Sequence, residues 1–111
     1  MSISGGNMII RVEKEVDHYE TEKIRGEFEK LYTKGCVRNV IFDMSEVEFM
    51  DSSGIGMIMG RYTKLQCIGG KVYVAAVKKH IDKLLMMAGV YRYVMKCDNV
   101  IQALNSANSN E

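Results

Sequence analysis

The sequence predicts an α/β domain, a small mixed β-sheet with helices packed on it, and three observations carry that expectation. Short apolar runs rich in β-branched residues alternate along the chain with amphipathic stretches of helical period. Glycines, singly and in pairs, punctuate the boundaries of these runs in a chain that has no proline. The length of 111 residues leaves room for one hydrophobic core and excludes a second.

The elements follow in order. Residues 1–7, MSISGGN, are small and polar and read as a flexible lead. Ile10, Val12 and Val16 then alternate with polar residues, the period of a half-buried strand over 8–16. Between Tyr19 and Lys34, Ile24, Phe28, Leu31 and Tyr32 recur at helical spacing, and Gly35 ends the stretch. Asp17, Glu20 and Glu22 near its start and Lys30 and Lys34 near its end match the helix macrodipole. The unbroken run Val40-Ile41-Phe42 predicts a strand over 38–44 buried on both faces. Ile55, Ile58, Met59, Tyr62 and Leu65 form one stripe of a helix over 52–67, stopped by Gly69-Gly70. KVYVAAV, 71–77, is a second doubly buried strand. The helix after it, 79–88, turns Ile81, Leu84, Leu85 and Ala88 inward and stops at Gly89. A short strand at 93–95 and a last helix opened by Asp98, with Val100, Ile101 and Leu104 apolar, complete the domain at 8–105. Residues 106–111 read as a frayed tail.

Composition excludes several functions. Fifteen Lys+Arg against fourteen Asp+Glu leave a net charge of +1, without the positive excess of a phosphate-backbone binder, so no direct nucleic-acid partner is expected. No segment reaches the ~18 apolar residues of a membrane span, and the start of the chain lacks a basic-then-apolar leader, which reads as cytoplasmic. Cys36, Cys67 and Cys97 lie too far apart for a metal clip and form an odd set, so they read as reduced thiols. With only His18 and His80 besides, neither a metal nor a cofactor is expected.

A parallel sheet carries its functional groups in loops at the carboxyl ends of its strands, which directs attention to FMDSSGIGMIMGRY, 49–62. Asp51 or Ser52 can cap the helix that begins there. Two hydroxyls at a helix N-terminus also make a phosphate-acceptor site, because the dipole tolerates added negative charge. A dinucleotide fingerprint fails by one position, since it needs glycine where Met59 stands, and no G-K-[ST] follows for a phosphate loop. Ser52 with His18 and Asp17 could in principle form a hydrolase set, but no G-x-S-x-G elbow frames the serine, and no catalytic residue is assigned. Gly56 and Gly60, one turn apart, permit close approach by a neighbour or a partner. Met57, Gly60, Arg61 and Lys64 lie off the apolar stripe and offer a docking face, and an exposed Met50 or Met57 would be a deformable contact.

The run from Phe49 to Val94, above all MDSSG-x-G-x-x-x-GRY at 50–62, resembles the STAS domain of bacterial anti-sigma factor antagonists. It is most similar to the sporulation-stage members of the forespore sigma pathway, because general-stress members usually lack the G-R-Y. The resemblance covers residues 8–105 and implies a STAS fold. It implies that Ser52 is phosphorylated by an anti-sigma factor that is a serine kinase of the histidine-kinase ATPase fold, and that a metal-dependent serine phosphatase reverses this. The unmodified form then binds the kinase and frees its sigma factor. Asp51 and Gly54 shape the loop, with Met50 and Ser53 beside them at the partner surface. The resemblance also touches EVDHYETEKI, 15–24, where the family commonly has G-E-L-D-H-H-T, which places Asp17 near the same surface; Lys14 replaces the glycine and Tyr19 the second histidine. Two other readings are a STAS scaffold subunit of a sensor or transporter complex and a small phosphohydrolase or nucleotide-binding enzyme.

Overall fold

In the computed structural model, which describes residues 1–109, seven strands and four helices follow one another as the sequence alternation implies. Strands β1 (Ser2–Ser4), β2 (Asn7–Arg11), β4 (Asn39–Asp43), β6 (Val72–Ala75) and β7 (Met95–Cys97) form one sheet in the order β1-β2-β4-β6-β7. Only β1 is antiparallel to its neighbour. Strands β3 (Glu15–Val16) and β5 (Phe49–Met50) form a separate parallel pair. The helices are α1 (His18–Thr33), α2 (Ser52–Gln66), α3 (Lys79–Met87) and α4 (Val100–Ser109), with a 3-10 turn at Val90–Arg92.

Alternation along the central strands divides the core in two. Met8, Ile10, Val40, Phe42, Val72 and Val74 point to the face covered by Ile24 and Phe28 of α1, Ile58 and Leu65 of α2, and Ile81 and Leu85 of α3. Ile41, Tyr73 and Ala75 point to the opposite face, where Ala103 and Ala107 of α4 close over them. This two-sided covering is why the strands carry unbroken apolar runs. At the start of β2 and β4, buried Asn39 donates to Asn7 Oδ1 at 2.9 Å and accepts from Lys71 N–H at 2.9 Å. Asn7 in turn donates to Asn108 at 2.9 Å, tying α4 to the sheet.

Several boundaries differ from the sequence expectation. Residues 2–4 of the expected lead form edge strand β1, because Gly5 and Gly6 both take positive φ and make the two-residue turn that folds Ser4 back on Asn7. The strand expected over 8–16 is broken: β2 stays in the main sheet, and β3 leaves it to pair with β5. Strand β7 begins two residues later than expected, after the 3-10 turn. Asn99, not Asp98, caps α4, its Oδ1 accepting from Gln102 N–H at 2.8 Å. Helix α4 continues through Ser109 across most of the expected tail, of which residues 110 and 111 lie outside the described residues.

Candidate functional site

The β3–β5 pair builds the site. Glu15 pairs with Phe49 and Val16 with Met50, and each strand is followed at once by an aspartate and a helix. Asp17 and Asp51 have nearly the same backbone, φ −102° and ψ −176° against φ −106° and ψ −169°. Each caps its helix: Asp17 accepts from Glu20 N–H at 2.9 Å and Asp51 from Ser53 N–H at 2.8 Å. The same strand–aspartate–helix unit therefore occurs twice, and the parallel register sets the N-termini of α1 and α2 side by side.

Because Asp51 is the cap, Ser52 is released from that duty. It is the first residue of α2, exposed, and its hydroxyl makes no hydrogen bond among the described residues. Ser53 is half-buried. Gly54 is buried against β3 and β5, and a Cβ there would lie 2.5 Å from Met50 Cγ and 3.0 Å from Val16 Cγ1. A glycine lets α2 start this close to the strand pair. Glu48, just before β5, bridges Lys14 at 3.3 Å and Lys78 at 3.6 Å. The Lys14 ammonium, more than that of Lys78, holds the Glu48 carboxyl below the usual carboxylate range.

The expected residues do not all gather here. Asp17, Met50, Asp51, Ser52, Ser53 and Gly54 come together at the two N-termini. Gly60 and Lys64 lie about 12 and 18 Å further along the α2 axis at 1.5 Å per residue. Met50 and Met57, expected as partner contacts, are each 6 % exposed and belong to the core; the exposed methionines among the described residues are Met1, Met86, Met87 and Met95. Arg61 is also 6 % exposed rather than on a docking face. Its guanidinium lies over the Phe28 ring of α1, 4.7 Å from the centroid, and burial lowers its pKa from the ordinary guanidinium value. Lys64 is exposed but leans on α1, pairing with Glu29 at 3.4 Å and approaching the Tyr32 ring at 5.3 Å. Phe49 and Tyr19, both largely exposed at 54 % and 79 %, were not assigned to the partner surface from the sequence. The available signal was an aromatic side chain within two residues of each capping aspartate.

The strand-flanked pair of helix N-termini on a five-stranded sheet is that of a STAS domain, and the STAS domain family matches residues 1–107. The chain belongs to this family. Within it, the chain is 30% identical over 99 residues to the anti-sigma F factor antagonist of Paenibacillus polymyxa, a match covering 89% of this chain and 85% of the relative. Its fold is similar to that of the anti-sigma factor antagonist SpoIIAA in the unphosphorylated form, with a TM-score of 0.78 at 23% identity, covering 96% of this chain and 92% of that one. The phosphorylated form of the Bacillus cell fate determinant SpoIIAA gives the same TM-score at 24% identity, covering 96% of this chain and 95% of that one. Among the described residues, no helix is long and apolar enough to cross a membrane.

Proposed function

We propose that this chain is an anti-sigma factor antagonist, a binding module switched by phosphorylation of Ser52. In its unmodified form it binds an anti-sigma factor that is a serine kinase of the histidine-kinase ATPase fold, and the bound kinase releases its sigma factor. The kinase inactivates it by modifying Ser52, and a metal-dependent serine phosphatase restores it. The observation that carries this reading is the exposed, unpartnered hydroxyl of Ser52 at the first position of α2, in a chain similar to named antagonists.

The physical basis is local. A phosphate adds about −1.5 to −2 charge, which the positive end of α2 tolerates, so the fold persists. The same charge stands beside the Asp17 and Asp51 carboxylates and the exposed Phe49, on a surface that a partner must desolvate. Turning a mostly bound population into a mostly free one takes ~5 kcal/mol, and a dianion buried without a cation in an interface supplies that order of penalty.

Incubation with a cognate anti-sigma kinase and ATP, followed by phosphopeptide mapping, tests the assignment. A single phosphate on Ser52 is expected, with amide spectra unchanged away from residues 50–60. Labelling of Ser53 or Thr63 instead, or no labelling by a kinase shown to be active, refutes it. Calorimetric titration of Ser52→Asp with the same kinase gives the second readout: weak binding by a well-folded variant is expected, and wild-type affinity counts against the switch.

A further inference from the structure

A histidine on α3 reaches the strand that carries the site. Residues 48 and 49 bond within the short ladder: the Glu48 and Phe49 N–H groups both donate to Lys14 O, at 2.8 and 3.2 Å. Lys14 lies just before β3, so these bonds tie the two short strands to each other and not to the main sheet. Two polar contacts come to Glu48 from the start of α3. Lys78 approaches its carboxylate at 3.6 Å, an exposed ion pair of the kind that contributes little. His80 places Nε2 2.6 Å from its carbonyl oxygen. A carbonyl can only accept, so Nε2 carries the proton and donates it.

The donor stands on a fixed base. Ile81, the next residue, is buried in the core, as is Leu85 one turn further on, and Asp82 accepts from Tyr91 and pairs with Lys96. The acceptor is a main-chain atom, so the bond constrains the backbone of residue 48 whatever rotamer the Glu48 side chain takes. Phe49 and Met50 form β5, and Asp51 is extended in its turn. A constraint on residue 48 therefore passes along this stretch to the Asp51 cap and to Ser52, the first residue of α2.

We propose that His80 is a positioning residue for the N-terminus of α2: it latches β5 to α3 and so keeps the β3–β5 pair closed. Its bearing on phosphorylation rests on the reading of Ser52 given above. The latch itself is tested on the chain alone, without a kinase.

The test is amide hydrogen exchange of the full chain, followed residue by residue by NMR in wild type, His80→Ala and His80→Gln. Alanine removes the donor while favouring the helix, so α3 itself is not weakened. Glutamine is the conservative variant, because its side-chain N–H₂ reaches about as far as Nε2. In His80→Ala the Glu48 and Phe49 amides, and the Gly54 and Ile55 amides that donate to Asp51 O, should exchange about threefold to tenfold faster, the factor one net hydrogen bond supplies. In His80→Gln the same amides should stay within about twofold of wild type. The Val40 and Met44 amides, which donate to Lys71 O and Ala75 O across the central sheet, should be unchanged in both variants. Wild-type rates at the four site amides in His80→Ala overturn the proposal. So does equal acceleration in His80→Gln, or acceleration of Val40 and Met44 by the same factor, which marks a loss of global stability. Local acceleration in His80→Ala, rescued by glutamine, in a chain that an active kinase fails to label supports the latch and refutes only the reading of Ser52.

Discussion

Helix α2 carries three glycines, Gly54, Gly56 and Gly60, whose surroundings assign them opposite responses to alanine. At Gly54 the added Cβ would sit 2.5 Å from Met50 Cγ, and 3.0 Å from both Met50 Sδ and Val16 Cγ1. Carbon atoms pack at about 3.5–4.0 Å, so one side must retreat by about 1 Å. Val16 and Met50 are the paired residues of β3 and β5, and both side chains are buried in the packed core, which leaves them little room to retreat. Overpacking of this kind costs about 1–3 kcal/mol, against a helix-propensity gain of at most ~1 kcal/mol, so Gly54→Ala should lose roughly 1 kcal/mol net. At Gly56 and Gly60 nothing lies within 4 Å of the added atom. Only the propensity term remains there, so each should gain about 0.5–1 kcal/mol. Gly54→Ala and Gly60→Ala then differ by almost 2 kcal/mol, roughly 8 °C in Tm at about 4 °C per kcal/mol. Urea melts with a common m-value, paired with thermal scans, measure this. A Gly54→Ala protein at least as stable as wild type, or a Gly60→Ala protein less stable than it, would refute the reasoning. If Gly60 is kept small for a partner's approach, its alanine variant binds the partner more weakly while folding more strongly.

Three other changes have expected outcomes. Ser52→Ala should alter stability by less than about 0.5 kcal/mol in urea melts, since its hydroxyl is unbonded, whereas Asp51→Ala removes the α2 cap and should lose about 0.5–2 kcal/mol. Asn39→Ala leaves the Lys71 N–H and the Asn7 carbonyl without their buried partner and should lose about 2 kcal/mol or more, with the Tm falling accordingly. The Asp82 carboxyl is held below its usual range, first by the hydrogen bond from Tyr91 and then by that from Lys96. Its depressed folded pKa contributes stability above the ordinary value of about 3.9 and loses it as pH falls through the lowered one. Tyr91→Phe should therefore be less stable than wild type by about 1.5 kcal/mol at pH 7, and the gap should narrow in melts repeated below pH 4.

The main sheet and its helices were legible because each is long enough to show a period. Val40-Ile41-Phe42 and the stripe through Ile58 and Leu65 state their burial in composition alone. The strand pair under the site was not, because β3 and β5 have two residues each and two residues carry no alternation. Ser52 was reached through the family motif, but its release from capping depended on Met50 being extended in β5, which makes Asp51 the turning residue. Arg61 was assigned to the surface because it lies off the apolar stripe of its helix; its place was decided by α1, whose Phe28 ring gives it a flat face to lie on. Gly5-Gly6 was a legible hairpin signal that the polar serines around it masked.

The two-rung ladder of β3 and β5 also sets how the molecule breathes. Between β2 and β4 five residue pairs lie in register, and strand exchange there requires disrupting the shared core. The ladder beneath Asp17 and Asp51 has only its two pairs, so it can part while the central sheet stays closed. Amide protons of β4 and β6 should accordingly exchange only by global unfolding, and those of the ladder and the first turns of α1 and α2 through a cheaper, local event. A partner that clamps both N-termini at once would suppress that event, and its footprint would appear as slowed exchange on two stretches of chain more than thirty residues apart.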